Sequence, residues 1–312
     1  MSAINSNPQT LMQAVKHFAD PDICHEFVAS LRWPEGVACP YCQSKNIGHI
    51  KSRRMFQCKD CRKQFSVKVG SIFEDSPLGL DKWLCAIWMV ANCKNGISSY
   101  EVHRDLGITQ KSAWHMLHRI RLAMDAQSFE KVGGTVEVDE TFVGGKAKNM
   151  HKGQWDRRIE GTGHAGKVVV LGILERGGKA HTEVVPGTRR RTLDPIVRAR
   201  VEEGSAVNTD ALPTYESLEH GYDHKSVDHK ERFVDGDCHT NGCENYWSML
   251  KRMLRGTYIS TEPWHLFRYL NEHCFRFNNR KMTDSERFQM LLGMISGKRL
   301  TYAKLISEEP AY

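Results

Sequence analysis

Two hydrophobic rhythms run along the chain, one repeating every three to four residues as in a helix and one repeating every second residue as in a strand. Between Asp81 and Asn92, Trp83, Leu84, Ile87, Trp88 and Val90 cover most of a helical circumference, which predicts a buried helix ending at Asn95-Gly96. Ser98 or Ser99 then caps a short helix, Leu106-Gly107-Ile108 turns, and Thr109 starts a second helix with Ala113, Leu117, Ile120 and Met124 on one face. The pattern changes at VEVDETFVGGK. Alternation there places Val136, Val138 and Glu140 on one side of a strand and Glu137, Asp139 and Thr141 on the other.

Val168 to Leu174 is nearly all apolar, as a central strand must be, and a Gly-Gly turn returns the chain through a third strand at His181 to Val185. Leu193, Ile196, Val197 and Val201 mark a crossover helix capped by Thr192, and Ser205 to Asp210 reads as a fourth strand ending on an acid. Three antiparallel strands, a helix and a parallel strand describe an α/β fold with a ribonuclease-H-like mixed sheet and flanking helices. In HTNGCENYWSMLKR, Trp247, Leu250 and Leu254 form the buried stripe of a helix, while Asn241, Glu244 and Lys251 share another face. Pro263 opens a further helix with Trp264, Phe267, Leu270, Cys274 and Phe275 at helical spacing, and a last helix near Thr283 to Ser296 is expected to cover the same domain. At the other end, residues 9–31 read as an amphipathic lead-in with Leu11, Val15, Phe18, Phe27 and Leu31 as packing positions.

A chain of 312 residues exceeds what one core usually serves. The expected division is an N-terminal helix and zinc ribbon at 1–70, a helical region resembling a helix-turn-helix at 71–130, a catalytic domain at 131–300 and a tail at 301–312. Ten cysteines point to metal ligands or buried thiols in a reducing compartment. Cys39, Cys42, Cys58 and Cys61 read C-x2-C, fifteen residues, C-x2-C, so that two tight turns each offer two thiolates to one tetrahedral Zn²⁺. Met55 to Gln57 and Gln64 to Val67 supply short strands around the knuckles.

The net charge of +7 is modest, but its distribution is not. Between Lys45 and Lys68 stand eight basic residues against one acid, Asp60, which suits a polyanionic partner. Lys51, Arg53 and Arg54 in that stretch, and Lys111, His115 and Arg119 on the outer face of the second helix of the pair, with Gln110 and His118 beside them, are the candidate DNA contacts. The longest apolar uncharged run, Trp83 to Cys93, is too short to span a bilayer, and the first residues lack the pattern of a signal peptide. A cytoplasmic, nucleoid-associated location and no membrane partner are expected.

Asp139, Asp210 and Glu244 form an ordered set of acids, two on strands and one on a helix that also carries Lys251. Phosphodiesters are poor electrophiles, and a pair of Mg²⁺ ions, or Mn²⁺, held by such carboxylates serves both the attacking and the leaving oxygen. Clustered carboxylates repel one another, so a cation belongs among them. Lys251 adds a point charge for a phosphate. Asp235 and Asp237, nearby in a glycine-containing turn, read as loop acids.

RWPEGVACPYC with CKDCRKQFS, VEVDETFVGGK, NTDALPTY and HTNGCENYWSMLKR together resemble bacterial insertion-sequence DDE transposases of the fifteen-ninety-five family. The resemblance implies that Asp139, Asp210 and Glu244 bind the catalytic metals and that Lys251 contacts DNA near the cleavage point. It further implies recognition of terminal inverted repeats in double-stranded DNA, end cleavage, strand transfer and a synaptic homo-oligomer. Two other classes remain open on the sequence. Loss of the acids would have favoured a transposase-derived DNA-binding regulator, and this chain keeps all three; a ribonuclease-H-like nuclease would cut without joining.

Overall fold

The computed structural model describes residues 7–125, 130–145, 166–227 and 238–307. The chain divides into two compact units, Met1–Asp125 joined by Asn279–Ser307, and Ala126–Asn278.

In the first unit, α1 (Leu11–His17) and α2 (Pro21–Arg32) are capped by Thr10 and Asp20, whose side chains accept from Gln13 N and Asp22 N. They lead into a three-stranded antiparallel ribbon of β1 (Ile47–Ile50), β2 (Met55–Cys58) and β3 (Gln64–Phe65). The ribbon is too small for a core of its own. Its Phe56 and Phe65 instead set their rings edge-on to Trp33, at 5.7 and 6.0 Å. Next comes α3 (Leu80–Asn92), in which every residue from Trp83 to Ala91 is buried, as its all-round apolar pattern requires. Both helices of the following pair form where expected. A capping box between Ser98 and Glu101 starts α4 (Ser99–Leu106), Gly107 ends it in the left-handed conformation at φ 58°, and Thr109 caps α5 (Gln110–Ala123).

The last part of the chain departs from expectation. Starting from its own capping box of Thr283 and Glu286, α9 (Asp284–Gly293) belongs to the N-terminal unit rather than to the sheet domain. Phe288, fully buried, lies 5.1 Å from the Trp88 ring and 5.9 Å from Phe18, and Arg287 Nε donates to Asn92 Oδ1 at 3.0 Å. Ile72 N donates to Ile295 O and Gly297 N to Gly70 O, so the returning backbone is pinned as well. Phe288 thus joins an aromatic cluster with Phe18, just past α1, and Trp88 of α3, so the boundary expected at 300 falls instead between Asn278 and Asn279. A short α10 (Tyr302–Ile306) follows.

The second unit is a five-stranded mixed sheet ordered β6 (Ala180–Val185), β5 (Val168–Glu175), β4 (Thr135–Val143), β7 (Ala206–Asp210), β8 (Asp223–Val227). Strands β4, β5 and β6 are antiparallel, while β7 and β8 run parallel to β4, which is the ribonuclease-H-like order. On one face, α6 (Arg190–Arg200) buries Leu193 and Val197 against Val136, Val138, Ile173 and Val207. Thr192 is not its cap; the helix starts two residues earlier, after Arg189. On the other face, α7 (Asn241–Met253) and α8 (Leu266–Asn278) bury Tyr246, Trp247, Leu250, Tyr269 and Leu270 against Val170 and Val184. The edge strand β8 has no sequence forecast. DHKSV is short and polar, and it buries only Val227, so it carries no alternating signal.

Candidate active site

The register of the parallel pair places the two aspartates. Glu137 stands opposite Asn208, and the same offset of 208 − 137 = 71 residues brings Asp139 level with Asp210, just past the last rung of the ladder. Oxygens of Asp139, Glu140 and Asp210 lie within 4.8 Å of one another. Glu140 was expected to face away from Asp139. It does leave the opposite face of β4, where the Tyr215 hydroxyl donates to its Oε1, yet beyond the end of the β4–β7 pairing its carboxylate reaches the same spot. The DE dipeptide was the only available signal, and strict alternation argued against it.

Glu244 does not belong to this tight trio. It lines the same cleft of about 760 Å³ as Asp139 and Glu140, together with Thr141, Trp247 and Lys251. The predicted stripe on α7 holds: Trp247 and Leu250 are buried while Asn241 and Glu244 are exposed. Lys251, with Arg252 and with Arg255 one turn on, adds cationic side chains to the lining of the cleft. Asp235 and Asp237 fall outside the described residues, as does most of the basic stretch from Lys146 to Lys167.

Burial dominates the electrostatics. It pushes the Asp139 carboxyl up to about 6, with the Trp247 hydrogen bond opposing and the charges of Asp210 and Glu244 adding to the rise. Glu140 goes further, to about 8, again chiefly through burial, with Asp210 and Asp139 as repelling neighbours. Burial also lowers Lys251 from the usual lysine range, ahead of the repulsion from Arg255. Carboxylates that hold protons so strongly are short of positive charge, which suits a hard divalent cation with oxygen donors.

A network behind the cleft holds α7 in place. No side chain of the helix itself caps its start. Glu137, two residues before Asp139 and nearly fully buried, accepts the Cys243 N–H at 3.0 Å through Oε2 and the Arg176 Nε at 2.8 Å through Oε1. Arg176 Nη2 in turn donates to His239 O at 3.0 Å. A carboxylate from the strand therefore serves the helix N-terminus, where its charge meets the exposed N–H groups.

In the ribbon the four sulfurs of Cys39, Cys42, Cys58 and Cys61 also lie within 4.8 Å of one another. Cys39 and Cys61 Sγ are 3.6 Å apart and Cys42 and Cys58 Sγ 3.5 Å, far beyond a disulfide bond and close to the roughly 3.8 Å edge of a tetrahedron with zinc–sulfur bonds of about 2.3 Å. The Cys61 N–H, donating to Cys58 Sγ at 3.5 Å, leads the effects that draw the Cys58 thiol down to about 7.

The expected DNA-facing surface of α5 needs correction. Arg119 is only 5% exposed, its guanidinium donating to the Glu74 carbonyl and lying 5.7 Å from the Trp83 ring, and His118 is fully buried. His115 is half-buried with Nε2 3.1 Å from Leu300 O. The return of the C-terminal segment covers a face that local periodicity left open. Lys111 stays exposed, its ammonium 4.5 Å over the Tyr302 ring. Lys51 and Arg53 are exposed in the turn after β1, and the neighbouring Arg54 pairs with Asp22.

Residues 131–278 match the family described as the ISXO2-like transposase domain, and residues 20–64 match a transposase zinc-ribbon domain. A transposase-like protein of Haemophilus influenzae is 33% identical over 105 residues, which make up 85% of that protein and 33% of this chain. The chain belongs to this transposase family. A protein of the transposable element ISH50 in Halobacterium salinarum is similar over a longer span, 28% identical over 256 residues, 78% of this chain and 86% of that protein. The match to the transposase domain ends at Asn278, where the Ala126–Asn278 stretch of the second compact unit also ends. Among the described residues, no helix of this transposase family member is long and apolar enough to cross a membrane.

Proposed function

We propose that the chain is the transposase of an insertion sequence, binding the terminal inverted repeats of double-stranded DNA, cutting at the element ends and joining them to a target. One observation carries the reading: a register that sets Asp139 level with Asp210, beside a cleft also lined by Lys251 and Arg252 of α7 and by Arg255 just past its end. Asp139, Asp210 and Glu244 are the ligands we assign to Mg²⁺, and Glu140 stands close enough to share the site. When bound, such ions lower the barrier to phosphodiester cleavage by activating the attacking oxygen and stabilising the leaving one.

The remaining work falls to the protein. Lys251, Arg252 and Arg255 hold the phosphates flanking the reacting one and so orient it toward the acids. Trp247 fixes the Asp139 carboxylate through its indole N–H. Structural Zn²⁺ in the four-cysteine site keeps the ribbon folded, and Lys51, Arg53, Arg54 and Lys111 supply backbone contacts to DNA, with the α4–α5 pair as the second binding element. Two or more protomers act together in the synaptic complex.

The test is Asp210→Asn. End cleavage and joining in Mg²⁺ should fall below detection, while binding to a terminal-repeat duplex persists, because the ribbon lies in the other unit. Undiminished cleavage by the variant rules the assignment out.

A further inference from the structure

Ile259 is 82% exposed, the most exposed large apolar side chain among the described residues, and its backbone lies at φ 61°, ψ −56°. Single exposed apolar residues are common and need no explanation. A β-branched residue in that region of backbone space does, because its Cβ is crowded there and the conformation persists only where the surroundings enforce it. Ser260 N donates to Tyr258 O at 2.6 Å, closing a γ-turn of the strained hand with Ile259 at its apex.

The turn is firmly anchored. It follows a π-helical turn, Leu254–Tyr258, that extends α7 beyond Lys251. The Tyr258 ring lies 4.7 Å from Tyr269, and its hydroxyl donates to Glu272, which is fully buried and ion-paired with Arg276. A buried charged pair and a π turn therefore hold a strained backbone whose side chain points into solvent. Ile259 lines a cavity with Gly144, Gly145 and Pro263, and that cavity shares Lys251 and Arg255 with the cleft of Asp139.

We propose that Ile259 is a wedge that enters the base stack of duplex DNA beside the reacting phosphate and unstacks one base step. This rests on the reading of the chain as a DNA-cutting transposase. The shared cations select a polyanion, and the exposed apolar side chain lining the same cavity suits base faces rather than phosphates. Inserted apolar side chains of this size part base steps and kink the duplex. Parting the step kinks the backbone there, which turns the adjoining phosphate toward the acids.

The experiment uses the full-length protein carrying Asp210→Asn, bound to a terminal-repeat duplex with 2-aminopurine placed at successive positions near the cut. A several-fold fluorescence rise at one or two adjacent positions is expected. Adding Ile259→Gly should abolish it while anisotropy still reports binding, and the melting temperature should be unchanged or higher, since glycine relieves the strained φ. Ile259→Ser should also abolish the signal, and Ile259→Leu should keep it. An unchanged signal with Ile259→Gly overturns the wedge alone. A change in protomer number by sedimentation, with the base signal intact, assigns the side chain to a protein interface and also overturns it. If the wild-type chain binds no terminal-repeat DNA, the wedge and the transposase reading fall together.

Discussion

Trp247 donates its indole N–H to Asp139 Oδ2 at 2.8 Å, tying α7 to strand β4. Gly172 makes room for this bond. It pairs with Asp139 across β4 and β5, and a Cβ there would stand 2.4 Å from Trp247 Cζ2 and 2.5 Å from Cη2.

Trp247→Phe keeps most of the packing and removes the donor. A hydrogen bond to a charged group contributes about 1.5–3 kcal/mol, so cleavage should slow by roughly 10- to 100-fold. Because that bond favours the ionised carboxylate, the pH at which Asp139 ionises should rise, moving the acidic limb of the rate profile upward. A profile that keeps its position would refute the role.

Gly172→Ala tests the same contact from the strand side. Overpacking of this kind costs about 1–3 kcal/mol, and here it also displaces the ring from Asp139. Denaturant unfolding should show the loss, with activity falling further than stability alone explains. A variant as stable and active as the parent would mean that the ring moves freely.

Glu137→Ala should be more damaging than its distance from the chemistry suggests. Among the described residues it leaves the Arg176 side chain with only its His239 contact and uncaps the start of α7, and breaking a buried pair costs at most about 3–5 kcal/mol. Glu137→Gln, which retains an acceptor, should cost less. Equal losses in the two variants would show that the N-terminal hydrogen bond contributes little.

The acids link metal binding to pH. Asp139 and Glu140 titrate higher in the folded protein than in an unfolded chain, where carboxyls ionise near 4. Their contribution to stability is present below that value and lost as pH rises through about 6 and about 8. Without Mg²⁺, the melting temperature should therefore fall between about pH 5 and pH 8, and added Mg²⁺ should restore more of it at the upper end. Restoration independent of pH would contradict proton–metal exchange at these groups.

Cys58→Ser removes one of four sulfurs. Bound zinc, measured by atomic emission, should fall from one equivalent toward none, with unfolding confined to the ribbon. Full zinc content in the variant would exclude Cys58 as a ligand.

Features that depend on neighbours in the chain were legible without the fold. Cysteine spacing specified the ribbon site, alternation and apolar runs located strands β4 to β7, and seven-residue spacing on α7 set Glu244 and Lys251 on the same face, because each pattern follows from the geometry of one element. Burial and register were decided elsewhere. Glu140 reached Asp139 and Asp210 only because two strands 71 residues apart stop pairing at Glu137 and Asn208. Arg119 and His118 became interior residues within a unit completed by residues 279–307, and Phe288 took that segment to the N-terminal aromatic core. Contacts between residues so far apart leave no periodic trace in either segment, and only the tertiary structure reveals which face each one covers.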